Sequence, residues 1–221
     1  ANRSGPGVSP IRTPSAAVAR HGIGALPPST SRASRIRCPS IRSTAATLTS
    51  FIGRERESRQ LLELIRQPDM RLVTIVGPGG VGKTRLCIEV ARRAASGFAG
   101  GVAFVDLSTL ASAELIEPAV ARALGMREQA NRPLAERVAD IFGDRHLLLV
   151  IDNFEPFVSS SPLASEILAR CPNMTAMVTS REPLRLSAER VVEIPPLSLP
   201  DPRDQRGAPT ESEAVRLFVD R

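Results

Sequence analysis

Apolar residues in this chain occur either in short unbroken runs or at helical spacing, and the two patterns alternate. Runs of apolar or β-branched residues at 72–76 and 147–151 are typical of parallel strands that are buried on both faces. Shorter runs at 102–106, 175–178 and 191–194 extend the series to five strands. Helical spacing at residues 61–66, 85–91, 112–124, 132–142, 162–169 and 214–218 predicts helices around them. Strands that alternate with helices predict an α/β fold with a parallel sheet.

Two of the predicted helices carry start signals. Asn131 is a candidate N-cap for the helix that ends at Phe142, with Pro133 in its first turn. Thr210-Glu211-Ser212-Glu213 matches a capping box for the last helix. The preceding residues, 200–209, are rich in proline and charged residues, which indicates a linker.

A glycine-rich loop follows the first predicted strand. Its sequence is Gly77-Pro78-Gly79-Gly80-Val81-Gly82-Lys83-Thr84, with Arg85 next, and it fits the P-loop pattern G-x-x-x-x-G-K-[ST]. Glycines leave the backbone amides open to a polyphosphate, and the helix start near Gly82 adds the positive end of its dipole. We therefore predict that residues 77–85 bind a nucleotide. The alternative is a glycine turn before an ordinary helix.

Two side chains of this loop have distinct predicted roles. Lys83 would bring its ammonium to the β- and γ-phosphates, and the Thr84 hydroxyl would join the oxygen shell of Mg²⁺. Lys83 is the only lysine, since the other 28 of the 29 basic residues are arginines. An arginine-rich chain that keeps its one lysine here supports a need for a compact point charge.

Polar residues also follow two later strands. Asp152 comes directly after the run at 147–151, which is the Walker B pattern, and a carboxylate at the carboxyl end of a parallel strand can hold Mg²⁺. The alternative is a strand that ends at a solvated aspartate. Thr179-Ser180-Arg181 follows the run at 175–178, where polar groups could contact a γ-phosphate and Arg181 could neutralise its charge. Lys83, Asp152 and Arg181 are thus candidate catalytic residues, unless Arg181 is only a surface arginine.

The positive charge is concentrated at the start of the chain. The 221 residues sum to +6, but residues 1–47 contain seven arginines and no acid, so subtracting seven from six leaves −1 for the rest. This segment is rich in Ser, Pro and Arg, and we expect it to be a disordered tail or linker, with a transit peptide as an alternative. Nucleic-acid binding through the tail is a further hypothesis, but with only 3% aromatic residues base stacking is disfavoured.

Cysteine usage and hydropathy predict the environment of the protein. Cys38, Cys87 and Cys171 lie far apart and lack metal-ligand spacing, which favours a reducing compartment. No apolar run approaches the ~18 residues of a membrane span, and nothing resembles a signal peptide. We therefore expect a cytoplasmic protein without a membrane partner.

The order of these motifs resembles the STAND class of P-loop ATPases. The likeness is carried by the P-loop and by Thr49-Ser50-Phe51-Ile52-Gly53-Arg54-Glu55, Leu148-Leu149-Val150-Ile151-Asp152-Asn153, Val178-Thr179-Ser180-Arg181 and Glu193-Ile194-Pro195-Pro196-Leu197. Within that class, the chain is most similar to the NB-ARC-like ATPase modules of bacterial LuxR-type and SARP-type transcriptional regulators. The likeness covers about residues 48–221.

The resemblance implies a fold, ligands and a domain plan. It implies a five-stranded parallel sheet in which the strand before Arg181 lies between the P-loop strand and the Walker B strand. The implied ligands are ATP or ADP with Mg²⁺, and Ile52, Gly53 and Arg54 would border the adenine. The expected segments are the tail at 1–47, a P-loop NTPase domain at 48–199, and a linker with the start of an incomplete helical lid at 200–221.

The resemblance also implies a switch. ADP would hold a closed state, whereas ATP would permit opening and self-association of the full-length protein, and DNA would bind only to domains outside this sequence. Asn153 departs from the class, because many members have a second acid there and an amide cannot accept a proton. We therefore expect a regulatory ATP/ADP switch with slow hydrolysis, unless Glu155 substitutes. The alternative is a catalytic AAA-like ATPase or another P-loop phosphotransferase.

Overall fold

Five parallel strands form the centre of the structure, a computed structural model that describes residues 51–127, 131–198 and 212–219. The strands are β1 Leu72–Val76, β2 Gly101–Asp106, β3 Leu147–Asp152, β4 Met174–Ser180 and β5 Glu189–Glu193. Their order in the sheet is β2-β3-β4-β1-β5, and every neighbouring pair is parallel. The predicted α/β fold is confirmed, and so is the position of β4 between β1 and β3.

Six α-helices occur in the described part of the chain. They are α1 Glu55–Ile65, α2 Lys83–Ala94, α3 Ile116–Ala123, α4 Leu134–Phe142, α5 Ser161–Arg170 and α6 Glu213–Val219. Each is too short or too polar to cross a bilayer. Cys87 and Cys171 are buried with free thiols.

Two predicted helix starts are wrong, and proline accounts for both. The helix expected over 112–124 is a 3-10 turn at Ala113–Leu115 followed by α3 from Ile116, which puts Pro118 in the first turn, where its missing N–H costs nothing. Asn131 does not cap α4, because Pro133 occupies the N-cap with ψ 141°. The residue before a proline is driven out of the helical region, so α4 cannot begin earlier.

Several expectations concern residues outside the described ranges. These are the tail at 1–47 with Cys38, the Thr49-Ser50 part of the first motif, the linker at 200–209, and Thr210 and Glu211 of the capping box. The described part of that helix start has Val215 N donating to Ser212 Oγ at 3.4 Å.

The central strands β1, β3 and β4 are buried on both faces, as the runs at 72–76 and 147–151 predict, whereas the edge strand β5 is mostly exposed. In β3, Leu147, Leu149 and Ile151 point into a core shared with α3, α4 and α5. Leu148 and Val150 point into the opposite core, which is shared with α1 and α2. Both cores are mostly aliphatic with a few phenylalanines, and their burial stabilises the fold by roughly 25 cal/mol for every Å² of apolar surface removed from water.

The register brings the carboxyl ends of three strands to one edge. Val76 of β1 pairs with Ser180 of β4, and Ile151 of β3 pairs with Val178 of β4. The residues that follow each strand therefore emerge close together at this edge. The P-loop, the Walker B aspartate and Arg181 all lie there.

Arg71 joins β1 to the turn between α5 and β4. Its guanidinium donates to the carbonyl oxygens of Leu168 at 2.6 Å, Cys171 at 2.6 Å, Pro172 at 2.5 Å and Met174 at 3.0 Å. The first two belong to the C-terminal end of α5, where carbonyls lack helical partners and a cation is favoured. Partial burial lowers the pKa of Arg71, yet the guanidinium remains charged.

Replacing Arg71 by alanine should destabilise the fold by about 2–3 kcal/mol, because four carbonyls lose one charged donor. Urea unfolding followed by circular dichroism measures the change. Arg170→Ala is the matched control, because Arg170 is 45% exposed and only pairs with Glu166 one helical turn away. That variant should cost less than about 0.5 kcal/mol. Equal losses in the two variants would contradict the bridging role of Arg71.

Candidate functional site

The P-loop connects β1 to α2 and depends on glycine at two points. A Cβ on Gly77 would lie 2.7 Å from the carbonyl oxygen of Ile194, so no side chain fits there. Gly82 is the N-cap of α2 with φ 91°, a backbone conformation that L side chains rarely adopt. Leu86 N then donates to Gly82 O at 3.0 Å, which is the first helical hydrogen bond. The loop therefore turns tightly into the helix and leaves its amides uncovered.

Lys83 lies at the start of α2 with its ammonium beside the loop. The residue is 8% exposed, and Nζ donates to Gly77 O at 2.8 Å and to Pro78 O at 3.0 Å. A buried ammonium needs such partners, because desolvation without them is costly. The bonds hold the positive charge at the loop.

Thr84 and Asp152, which we predict as ligands of one metal ion, meet at the end of β3. Thr84 Oγ1 lies 2.9 Å from Oδ1 and 2.8 Å from Oδ2 of Asp152. Two further donors surround this carboxylate, because Thr179 Oγ1 donates to Oδ1 and Asn153 Nδ2 donates to Oδ2 at 3.1 Å. Thr179 was expected to face a γ-phosphate, but its hydroxyl is turned to Asp152 and also accepts from Asn153 N at 3.0 Å.

The surroundings of Asp152 favour a bound cation. Burial raises the pKa of this carboxyl, the hydrogen bonds from Thr179 and Thr84 partly oppose the rise, and the negative charges of Asp106 and Glu155 add to it. A positive ion beside the carboxylate would offset the cost of its buried charge.

The donor set fits Mg²⁺. One hydroxyl and one carboxylate offer hard oxygens, and no group of three or more His, Cys, Asp or Glu residues occurs in the described ranges. Mg²⁺ is usually held by one or two protein oxygens, with phosphate oxygens and water completing its octahedron. Thr84 and Asp152 would hold such an ion, which would neutralise charge on the phosphates.

Arg181 follows β4 and lies against the P-loop. The nearest atom of its guanidinium, Nη2, is 3.5 Å from the point where a Cβ on Gly79 would lie. Its Nε donates to Glu155 Oε1 at 3.0 Å, and the Arg181 side chain is 67% exposed. Arg181 thus lies beside the P-loop, its role at a γ-phosphate stays a prediction, and Glu155 is a partner that the sequence pattern did not assign to it.

A cavity of about 520 Å³ opens beside the P-loop. Predicted nucleotide-binding residues that line it are Ile52, Arg54, Pro78, Gly79, Gly80, Val81, Gly82 and Arg85. Lining residues that we did not predict are Phe51, Pro196, Leu197, Ala214 and Leu217. Most of these side chains are apolar, and an apolar cavity beside open amides suits a heteroaromatic base attached to phosphates. Pro196 and Leu197 follow β5, and the helical spacing of Ala214 and Leu217 was visible, but their approach to the loop depends on tertiary packing.

Gly53 is the one member of the predicted adenine-binding trio that does not line this cavity. It has φ 74°, and a Cβ there would lie 2.9 Å from Oε1 of Glu213 in α6. Gly53 therefore allows the carboxylate of Glu213 in α6 to approach the backbone at residue 53.

Arg54 forms hydrogen bonds to three segments that border the cavity. It is 5% exposed and has φ 65°. Its guanidinium donates to Val81 O at 3.4 Å, to Pro195 O at 2.5 Å and to Glu57 Oε1 at 3.0 Å. Its backbone N–H donates to Glu213 Oε1 at 2.7 Å. One residue thus links the P-loop, the segment after β5 and helix α6.

Comparison with known proteins places these features in a family. The profile described as "AAA ATPase domain" matches residues 50–181, which is more than half of the chain and includes the P-loop, Asp152 and Arg181.

Curated relatives match the same part of the chain. A Mycobacterium tuberculosis protein named as a candidate HTH-type transcriptional regulator is 38% identical over 152 residues, which are 68% of this chain and 16% of that protein. An uncharacterized protein of the same organism is 32% identical over 180 residues, or 81% of this chain and 42% of that protein. The regulatory protein AfsR of Streptomyces coelicolor is 31% identical over 62% of this chain and 15% of its own length. The chain therefore spans less than half the length of these relatives.

Among the solved structures that the chain resembles is Cdc6p from Pyrobaculum aerophilum. It has 16% sequence identity and a TM-score of 0.46, and the match covers 66% of this chain and 47% of that one. Because the profile covers the P-loop, the Walker B strand and the strand before Arg181, we conclude that the chain belongs to the AAA ATPase domain family.

Proposed function

We propose that this chain is the ATP/ADP-binding module of a larger transcriptional or signalling regulator, and that it works as a slowly hydrolysing switch. The observation that carries the proposal is the convergence of Lys83, Thr84 and Asp152 at the mouth of the P-loop. These three side chains supply a cation and two metal-directed oxygens where the loop amides are open. Polyphosphate with Mg²⁺ is the ligand that matches such a set.

The cavity supplies the other half of the recognition. Apolar side chains from the segment at 51–52, from the residues after β5 and from α6 line the space beside the loop. A purine base in this space would exclude water from apolar surface, while the triphosphate lay on the loop. We assign the adenine to this cavity on the strength of the family and of the likeness to STAND-class modules.

A switch requires that ATP and ADP favour different states. A ligand shifts an equilibrium only by its differential affinity for the two states. Lys83 and Arg181 could distinguish the nucleotides, because both carry positive charge at the phosphate end of the loop. Helix α6 could transmit the difference, because Glu213 joins it to Arg54 beside the same cavity.

The regulatory role draws on the relatives. Those named as regulators are far longer than this chain, so DNA binding would belong to other parts of such proteins. We propose the NB-ARC-like, LuxR- or SARP-type subclass, self-association of the full-length protein in its ATP state, and a cytoplasmic location. We further propose that residues 48–199 form the nucleotide-binding domain and that residues 200–221 are a linker and the start of a helical lid.

Equilibrium dialysis of the 221-residue chain with labelled ADP or ATP, with and without Mg²⁺, tests the proposal. We expect saturable uptake of about one nucleotide per chain, which unlabelled ADP displaces and excess inorganic sulfate does not. No uptake of either nucleotide by the folded chain would refute it. Uptake of ATP and ADP that is equally tight under all conditions would refute the switch and leave only a binding module.

A further inference from the structure

Glu155 holds a position that the Walker B pattern does not predict. It opens the 3-10 turn Glu155–Ser160, three residues after Asp152, and its side chain is 19% exposed. One carboxylate oxygen, Oε1, accepts the Arg181 Nε hydrogen bond at 3.0 Å. The other, Oε2, is buried and accepts no hydrogen bond from the described residues. A buried carboxylate oxygen without a donor is costly, which points to a partner that the protein alone does not supply.

The backbone between Asp152 and Glu155 explains this placement. Asn153 has φ 61°, its N–H donates to Thr179 Oγ1, and its amide donates to Asp152 Oδ2. The residue that directly follows the metal-directed aspartate is therefore used to hold Asp152 and cannot take a proton. The chain then turns, because Phe154 N donates to Thr179 O at 2.9 Å, and this turn leads directly to Glu155.

Glu155 interacts with charged groups on two sides. Its negative charge contributes to the raised pKa of Asp152, so the two carboxylates lie close enough to interact. On its other side, the guanidinium that binds Oε1 lies beside Gly79 of the P-loop. Glu155 is thus between the candidate metal ligand and the arginine at the phosphate end of the loop.

We propose that Glu155 is the general base for ATP hydrolysis in this chain, and that Arg181 positions it. This inference rests on the proposed function. In this arrangement Arg181 Nε stays hydrogen-bonded to Glu155 Oε1. The terminal nitrogens of Arg181 remain directed to the loop and would contact the γ-phosphate. Oε2 is then the oxygen that receives a proton from the attacking water.

The step balances without any further reactant. The water oxygen forms a bond to the γ-phosphorus, and the bond from that phosphorus to the β,γ-bridging oxygen breaks, with its electron pair leaving on ADP. The proton lost by the water passes to Glu155 Oε2, which returns it to the released phosphate or to solvent. Arg181 offsets negative charge on the phosphoryl oxygens during the transfer.

The test uses Glu155→Gln in the 221-residue chain. Glutamine keeps the size of the side chain and an oxygen that can accept from Arg181 Nε, but it cannot accept a proton. Single-turnover hydrolysis of bound, labelled ATP should fall by about 10²-fold or more. Glu182→Gln is the matched control, because Glu182 is the neighbouring acid beside Arg181, its side chain is 54% exposed, and its carboxylate forms a loose ion pair with Arg185 at 3.9 Å. The control should hydrolyse ATP within about twofold of the wild type.

A binding measurement separates a base from a residue that merely holds Arg181. We expect Glu155→Gln to raise the affinity for AMP-PNP relative to ADP by roughly threefold or more, because a negative charge facing the γ-phosphate is removed. A merely structural role predicts the opposite, since a loosened Arg181 would bind the γ-phosphate less well.

The outcomes are distinguishable. Lower hydrolysis together with a raised AMP-PNP preference supports the assignment. Hydrolysis within threefold of the wild type, a preference that does not rise, or bound ATP that the wild type never hydrolyses would each overturn it while leaving nucleotide binding intact. Failure of the wild type to bind nucleotide would overturn the proposed function and this inference together.

Discussion

Replacing Lys83 by alanine should abolish the thermal stabilisation that ATP and Mg²⁺ confer on the chain. A ligand that binds only the folded state at a concentration of about 100 times its Kd stabilises it by about 2.7 kcal/mol. For a domain of this size, that corresponds to roughly 5–10 °C in Tm. Without the Lys83 ammonium, which is held beside the loop by Gly77 O and Pro78 O, the phosphates would lose a positive charge fixed at the loop. Differential scanning fluorimetry with and without ATP and Mg²⁺ measures the shift.

Arg92→Ala is the control for the lost charge. Arg92 lies in the last turn of the same helix, and its side chain is 61% exposed and pairs with Glu89 at 2.9 Å. That variant should keep the full nucleotide-dependent shift. If Lys83→Ala also kept it, the P-loop would not be the nucleotide site.

Replacing Asp152 by alanine should remove the Mg²⁺-dependent part of nucleotide affinity, by about 10- to 100-fold. The carboxylate is the only acidic side chain bonded to Thr84 among the described contacts, and no other metal-ligand cluster exists in the described ranges. Titration of a fluorescent ADP analogue at several Mg²⁺ concentrations, and again with EDTA, measures the effect. An equal loss in EDTA would contradict the metal role.

Asp152→Asn is the matched variant. Alanine at this position would also leave the hydroxyl of Thr179 and the amide of Asn153 without their hydrogen-bond acceptor. Asparagine keeps the shape and should lose most of the Mg²⁺ effect with less loss of stability. In the wild type, the Mg²⁺ effect should also weaken as the pH falls through the raised pKa of Asp152, because only the ionised carboxylate binds the metal.

The features that sequence could predict are those set by local pattern. Leu72–Val76 is a strand at the expected bounds because an unbroken apolar run of that length fits a strand buried on both faces. The P-loop and Asp152 meet because parallel strands present their carboxyl ends at one edge.

The features that escaped prediction depend on tertiary contacts. Arg54 and Glu213 are 159 residues apart, and no local sequence pattern around either residue predicts their hydrogen bond. The pair of Glu155 and Arg181 spans 26 residues and depends on β3 and β4 being neighbours. Thr179 faces Asp152 rather than the loop for the same reason, since the register of those strands sets the two side by side.

The approach of Glu213 to Gly53 makes these two positions interdependent. A methyl group at position 53 would lie 2.9 Å from the carboxylate oxygen and 3.2 Å from the Cβ of Glu213, so any residue larger than glycine there requires a rotated or shorter side chain at 213 or a displaced helix. A displaced helix would withdraw Ala214 and Leu217 from the wall beside the loop. For the nucleotide that we propose to bind in this cavity, escape would therefore depend partly on Gly53, which does not line the cavity, and lifetime and affinity could diverge under mutation.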